Sequence, residues 1–166
     1  MKEEQQYAWS SGNIRRYNYP LAQHGDSCYE LQTKKMIWAH GEYICKQQGG
    51  HLATITSVME QDFVDTFMAS HNPGNAVWIG LHDLNVEGQF EWTSGESVTY
   101  TNWVPNHMNN FENYLTEDCI ALIPYQRGQW DDIPCGKQDS SYGLEIGEKH
   151  YTFCEYKIHG HNVLVG

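Results

Sequence analysis

Glu117-Asp118 directly precedes Cys119, Cys135 follows sixteen positions later, and Trp130-Asp131-Asp132 lies inside the loop that those two cysteines could close. Four carboxylates on two neighbouring segments repel one another in any fold that has no use for them. A hard cation between them removes the repulsion, and calcium suits the residue types because it takes six to eight oxygen ligands from carboxylates, amides and carbonyls. The chain must therefore fold so that these two segments lie side by side with their acids turned to a common point.

The other cysteines are Cys28, Cys45 and Cys154, and none of the five shows the CxxC spacing of a zinc ribbon or a thioredoxin-like site. They read as a disulfide framework, in which each bridge removes on the order of 3 kcal/mol of unfolded-state freedom. Such a framework belongs in an oxidising compartment, so the expected location is secreted or extracellular. An odd number leaves one thiol either unpaired or bonded to another chain. The first residues are polar, with no apolar signal core, and no run of about 18 apolar residues occurs; the expectation is a mature chain whose signal has been removed.

At 166 residues the chain is long enough for one domain with a real core. Ten Lys+Arg against 21 Asp+Glu give a net charge of -11, which repels phosphate backbones and anionic lipid surfaces alike. Neither nucleic acid nor, given the lack of a long apolar run, membrane insertion is expected. The 11 Tyr and 6 Trp set the chain apart from acidic disordered segments and suit a rigid, loop-rich domain.

Along the chain, residues 1–23 read as an arm, with one possible strand near Tyr17–Tyr19. From Thr33 to Gln48 the residues Trp38, Gly41, Glu42 and Cys45 share a helical face, and Gly49-Gly50 supplies the stop. A second helix opens at Ser57, which forms a capping box with Glu60. Its apolar stripe of Met59, Phe63, Val64, Phe67 and Met68 runs on to Ser70. After Asn72-Pro73-Gly74 the period changes. Val77–Leu81, Gln89–Trp92, Val98–Tyr100, Ile120–Ile123, Gln129–Asp132 and Tyr151–Tyr156 are predicted strands. The Asn-, Pro- and Glu-rich stretch between Tyr100 and Cys119 is longer than an ordinary connection and reads as a functional loop. Gly136–Glu148 is an insertion, and 159–166 a tail.

The order Cys28-Tyr29, Trp38, Cys45, Gly50-His51-Leu52, Glu60, Trp78-Ile79-Gly80-Leu81, Asn102-Trp103, Glu117-Asp118-Cys119, Trp130-Asp131-Asp132, Cys135 and Phe153-Cys154-Glu155 resembles a C-type lectin domain over residues 24–158. The resemblance implies an α+β fold with two helices, lower and upper antiparallel sheets and a long calcium-binding loop. It also implies the disulfides Cys45–Cys154 and Cys119–Cys135. Cys28 departs from the pattern, since no cysteine precedes it. It is either the bridge of a homodimer or a buried thiol.

The resemblance further implies a principal calcium site at Asn109, Glu117, Asp131 and Asp132, and an auxiliary one at Asp83, Glu87, Asn110 and Asp118. Ligand contacts would come from His107, Asn109, Glu117, Asp131 and Asp132. Where the family carries Glu-Pro-Asn or Gln-Pro-Asp, this chain has His107-Met108-Asn109. An imidazole is a poor ligand for a hard cation, and Met108 removes the proline that favours a cis bond, which costs about 2.5–4 kcal/mol before any other residue. Asn106, Asn110 or Glu112 could supply the missing oxygen. Trp103, Tyr114 and Tyr125 offer faces for a sugar ring, Trp103 reading rather as scaffold. The expected function is calcium-dependent binding of vicinal sugar hydroxyls on a glycan, without catalysis; no His-Glu-x-x-His, Gly-x-Ser-x-Gly or phosphate-cradling loop occurs. The alternative is a protein-, mineral- or surface-binding module of the same fold.

Overall fold

The computed structural model describes residues 19–105, 119–139 and 144–158. A hairpin of β1 (Leu21–His24) and β2 (Ser27–Met36) leads into helix α1 (Trp38–Gln47), a short β3 (His51–Leu52) and helix α2 (Val58–His71). Then follow β4 (Val77–His82), β5 (Glu91–Trp92), β6 (Cys119–Ile123), a 3-10 turn (Pro124–Gln126), β7 (Gln129–Ile133), β8 (Lys137–Asp139), β9 (Leu144–Ile146) and β10 (His150–Lys157). The sheet runs β1-β2-β10-β4-β6-β7. All its pairs are antiparallel except β10 with β4, which joins the layer near the chain ends to the layer that carries the acids.

Strand β4 explains why its sequence is one unbroken apolar run. Val77, Ile79 and Leu81 pack with Val64, Phe67 and Trp130 in one cluster, whereas Trp78 packs with Trp38, Cys45 and Cys154 in another. Both faces are covered, so alternation is lost. Strand β6 divides in the same way, Ile120 and Leu122 to the first cluster and Ala121 and Ile123 to the second. The buried indoles are polar at one edge and find acceptors: Trp38 Nε1 donates to Ile79 O at 2.9 Å and Trp78 Nε1 to Met36 O at 2.7 Å.

Helix α1 starts at Trp38, five residues later than the sequence periodicity predicts. Residues 33–36 instead continue β2, where Met36 pairs with His150 of β10. At the other end the glycine stop is as expected: Gly49 has φ 91°, and Gly50 N donates to Cys45 O at 2.9 Å. A Cβ on Gly50 would overlap the Glu155 carbonyl oxygen, so glycine here lets the helix end press against β10. In α2, Ser57 Oγ accepts from Glu60 N at 3.1 Å, while the Glu60 carboxylate accepts from Thr56 N and Oγ1 at 3.2 and 3.0 Å. Met59, predicted for the apolar stripe, is 74% exposed; Val64, Phe67 and Met68 carry the buried face.

Of the predicted strands, Val98–Tyr100 forms none. Thr99 Oγ1 donates to Thr56 O at 3.0 Å and pins the segment to the start of α2. Only Glu91–Trp92 of the Gln89–Trp92 run pairs, with Leu81 and His82. The insertion contains the β8–β9 hairpin, and β1 begins within the stretch read as an arm. The disulfides are Cys45–Cys154 and Cys119–Cys135, the two pairs that the resemblance implies. Cys28 is 2% exposed on β2, which agrees with the buried-thiol alternative of the two that the sequence leaves open.

Candidate functional site

Asp131 and Asp132 sit on β7 opposite Ala121 and Ile120, and Asp83 follows the last residue of β4. Strand β6 lies between β4 and β7, and its first residue, Cys119, pairs with both His82 and Ile133. The order of strands thus brings the end of β4, with Asp83, toward the adjacent pair Asp131 and Asp132, which lie 48 and 49 residues further along the chain. Asp83 is 4% exposed, and Asp132 Oδ1 is buried with no hydrogen-bond partner among the described residues. Burial, with the charges of Asp131 and Asp83 added, pushes the Asp132 carboxyl up to about 6. Asp83, which the resemblance assigns to the auxiliary position, thus adds its charge to that of Asp131 in raising the Asp132 pKa.

The loop after Asp83 is held by its own bonds. Gly88 N donates to Asp83 Oδ2 at 2.8 Å, Gln89 N to Val86 O at 2.9 Å and Asn85 Nδ2 to Glu91 Oε2 at 2.8 Å. Sequence reasoning missed His82. Its Nδ1 accepts from Leu84 N at 3.2 Å, its ring meets Trp38 edge-on at 5.3 Å, and burial pulls its pKa down, so a neutral imidazole orients the loop. Glu87 is exposed on this loop.

Behind the aspartates, Trp130 N donates to Asn102 O at 2.7 Å and Val104 N to Trp130 O at 2.8 Å. The stem of the long loop is thereby zipped to β7 one residue from Asp131. Trp103 packs at 4.9 Å from Phe90 and 5.9 Å from Trp130, as scaffold. The other predicted ligands, His107, Asn109, Asn110, Glu117 and Asp118, together with Asn106, Met108, Glu112 and Tyr114, lie outside the described residues. Among the described residues, no three His, Cys, Asp or Glu side chains form a group that could hold a metal. The donors that are present do fit calcium: all are carboxylate oxygens, and a buried one lacks a partner.

Gln61 is the second residue that sequence reasoning passed over, since a lone glutamine on an amphipathic helix reads as surface. It is 3% exposed; its Oε1 accepts from Trp130 Nε1 at 2.9 Å, and its Nε2 donates to Gly128 O at 3.1 Å and Asp65 Oδ1 at 2.9 Å. Gln61→Met keeps the volume and strands the indole N–H. Urea titration should give a loss of about 1–3 kcal/mol, and a loss below about 0.5 kcal/mol would mean that Trp130 finds another acceptor.

Comparison with known proteins identifies the family of the fold. The family model of the lectin C-type domain matches residues 34–141. The versican core protein of Rattus norvegicus is 38% identical over 108 residues, which is 65% of this chain but 4% of that protein, so the chain spans a small fraction of its relative. Among solved structures, a calcium-independent type II antifreeze protein superposes with a TM-score of 0.68 at 26% identity, covering 89% of this chain and 99% of that one. The carbohydrate-recognition domain of the mouse scavenger receptor C-type lectin gives 0.67 at 27% identity, covering 85% of this chain and 96% of that one. With its two helices, its disulfides and its β4–β6–β7 core, the chain belongs to the C-type lectin domain family.

Proposed function

We propose that this domain binds glycans in a calcium-dependent manner and catalyses nothing. The observation that carries the reading is the adjacent pair Asp131 and Asp132 on β7, with a buried, partnerless oxygen on Asp132 and the charge of Asp83 near enough to raise its pKa. Such a cluster is costly unless a cation compensates it. Asp131 and Asp132, with Asn109 and Glu117 from the long loop, would hold the principal ion; Asp83, Glu87, Asn110 and Asp118 would serve an auxiliary one. Bound there, calcium supplies open coordination positions for two vicinal hydroxyls. The carboxylates and amides accept from and donate to those same hydroxyls, and His107 borders the site. A shallow site of this kind binds a single sugar weakly and gains strength from valency. Two disulfides support an extracellular location, and no helix among the described residues is long and apolar enough to cross a membrane.

A second reading is favoured by one specific likeness: the antifreeze protein that shares this fold at 26% identity is described as calcium-independent. On that reading the chain binds a protein or a solid surface, and His107-Met108 is the trace of a lost sugar site.

Calorimetry with calcium should give saturable heat with a Kd on the order of 10⁻⁴–10⁻³ M. Melting should shift upward in calcium, and a glycan array should light only without chelator. No heat at tens of millimolar calcium would sink the proposal. Calcium binding with an array dark in both conditions would transfer the argument to the protein- or surface-binding reading.

A further inference from the structure

Between the C-terminal half of α2 and the turn that joins β6 to β7 lies a cleft of about 300 Å³, at the small end of ligand sites. Asp65, Met68, Ala69, Asn72, Tyr125 and Arg127 line it, Met68 being the buried one. We propose that this cleft is a second carbohydrate subsite, one that takes an uncharged pyranose without calcium. The proposal goes beyond the calcium-dependent reading and does not depend on it.

Tyr125 is the first reason. Most aromatic rings of the described residues are packed in the two clusters or against them, whereas Tyr125 is 71% exposed beside the cleft. An exposed phenol ring presents an apolar face at the cost of two torsions, which is what stacking on the C–H face of a sugar needs. Asp65 and Arg127 are the second. One Asp65 oxygen accepts from Gln61, and the other has no hydrogen bond among the described residues. Arg127 has no ion-pair or hydrogen-bond partner among the described residues, in a chain of net charge -11. A carboxylate that accepts, a guanidinium that donates and the Asn72 amide that does both match a ring of hydroxyls. The opposite charges of Asp65 and Arg127 disfavour a ligand that carries either sign.

The backbone is the third. Arg127 has φ 58°, a left-handed conformation that costs an L-residue roughly 1–2 kcal/mol and that glycine or asparagine adopts more cheaply. The turn is built to hold it. Gly128 N donates to Ile123 O at 3.0 Å, Gly128 O accepts from Gln61 and Asn102, and a Cβ on Gly128 would overlap Asp65 Oδ1. Arginine is thus kept in a conformation that favours other residues, with its side chain at the cleft. Strain of this kind gathers at binding sites.

The test is saturation-transfer NMR on the whole chain in EDTA, with the methyl glycosides of glucose, galactose, mannose and N-acetylglucosamine at tens of millimolar. Transfer to the ring protons of at least one glycoside is expected, with affinity falling about tenfold in Tyr125→Ala, equivalent to about 1.4 kcal/mol. Arg127→Gly should lose binding to a similar extent while its melting temperature holds or rises, because glycine suits the turn. No transfer from any of the four in EDTA, or transfer that Tyr125→Ala and Arg127→Gly both leave unchanged, would overturn the proposal. Because calcium is chelated throughout, failure here leaves the calcium-dependent site untouched, and failure of that site leaves this one standing.

Discussion

Replacing Cys45 and Cys154 together by alanine is expected to lower the unfolding free energy by about 4–5 kcal/mol. The bridge spans 109 residues, and on the chain-entropy account a closed loop of about 100 residues is worth about 4.7 kcal/mol. Both cysteines are fully buried, packed with Trp38, Leu52 and Trp78, so the loss includes imperfect filling by the smaller side chain. The bridge also ties the last turn of α1 to β10, the strand that joins the two layers of the sheet. Cys119–Cys135 closes only 16 residues, for which the same account gives about 3 kcal/mol. Its removal should therefore cost less stability, yet more calcium affinity, because Cys119 begins β6 where the long loop returns and Cys135 follows the aspartate strand. Urea unfolding of the two double variants, with calcium titration of each, measures both orders. Equal losses of stability would contradict the argument from loop length.

Asp132→Asn should abolish the calcium heat and, in EDTA near pH 7.5, raise the melting temperature above that of the parent chain. The two effects have one cause. A carboxyl whose folded pKa stands near 6 resists ionising in the fold more than in the unfolded chain. Above that pH it is ionised at a cost, and an amide of the same shape carries no such cost. The sign follows: the penalty is absent in acid, grows as the pH rises from about 4 to about 6, and is constant beyond. Asp132 is half-buried, so solvent screening reduces the gain to about 1 kcal/mol. Scanning calorimetry in EDTA and in calcium separates the arms. A variant that melts lower than the parent in EDTA would show that Asp132 stabilises the fold through bonds of its own.

The elements read correctly from sequence are those whose signal is local. The Ser57 cap and the Gly49-Gly50 stop act within a few residues, and the buried runs of β4 and β6 announce themselves by length and apolarity. Strand β2 is not read from the sequence, although Tyr29, Glu30, Leu31 and Gln32 alternate apolar and polar. Both of its faces are buried, Tyr29 and Leu31 in the first cluster and Glu30 and Gln32 joined by a hydrogen bond from Gln32 Nε2 to Glu30 Oε1 at 3.0 Å, and its extent is set by long-range pairing with β10. The start of α1 was misplaced for the same reason, since residues 33–36 are committed to β10 by pairing and not by propensity.

By itself the sequence determined the domain class, the net negative charge and the two helices, and it raised Glu117, Asp118, Asp131 and Asp132 as a concentration of acids. Tertiary structure alone decided that the charge of Asp83 reaches Asp132, that His82 and Gln61 hold the frame, and that Cys28 lies inside. The physical reason is common to all of these. Caps and apolar runs are set by neighbours along the chain, whereas burial and the pKa of Asp132 are set by neighbours in space, which the strand order β4-β6-β7 brings together.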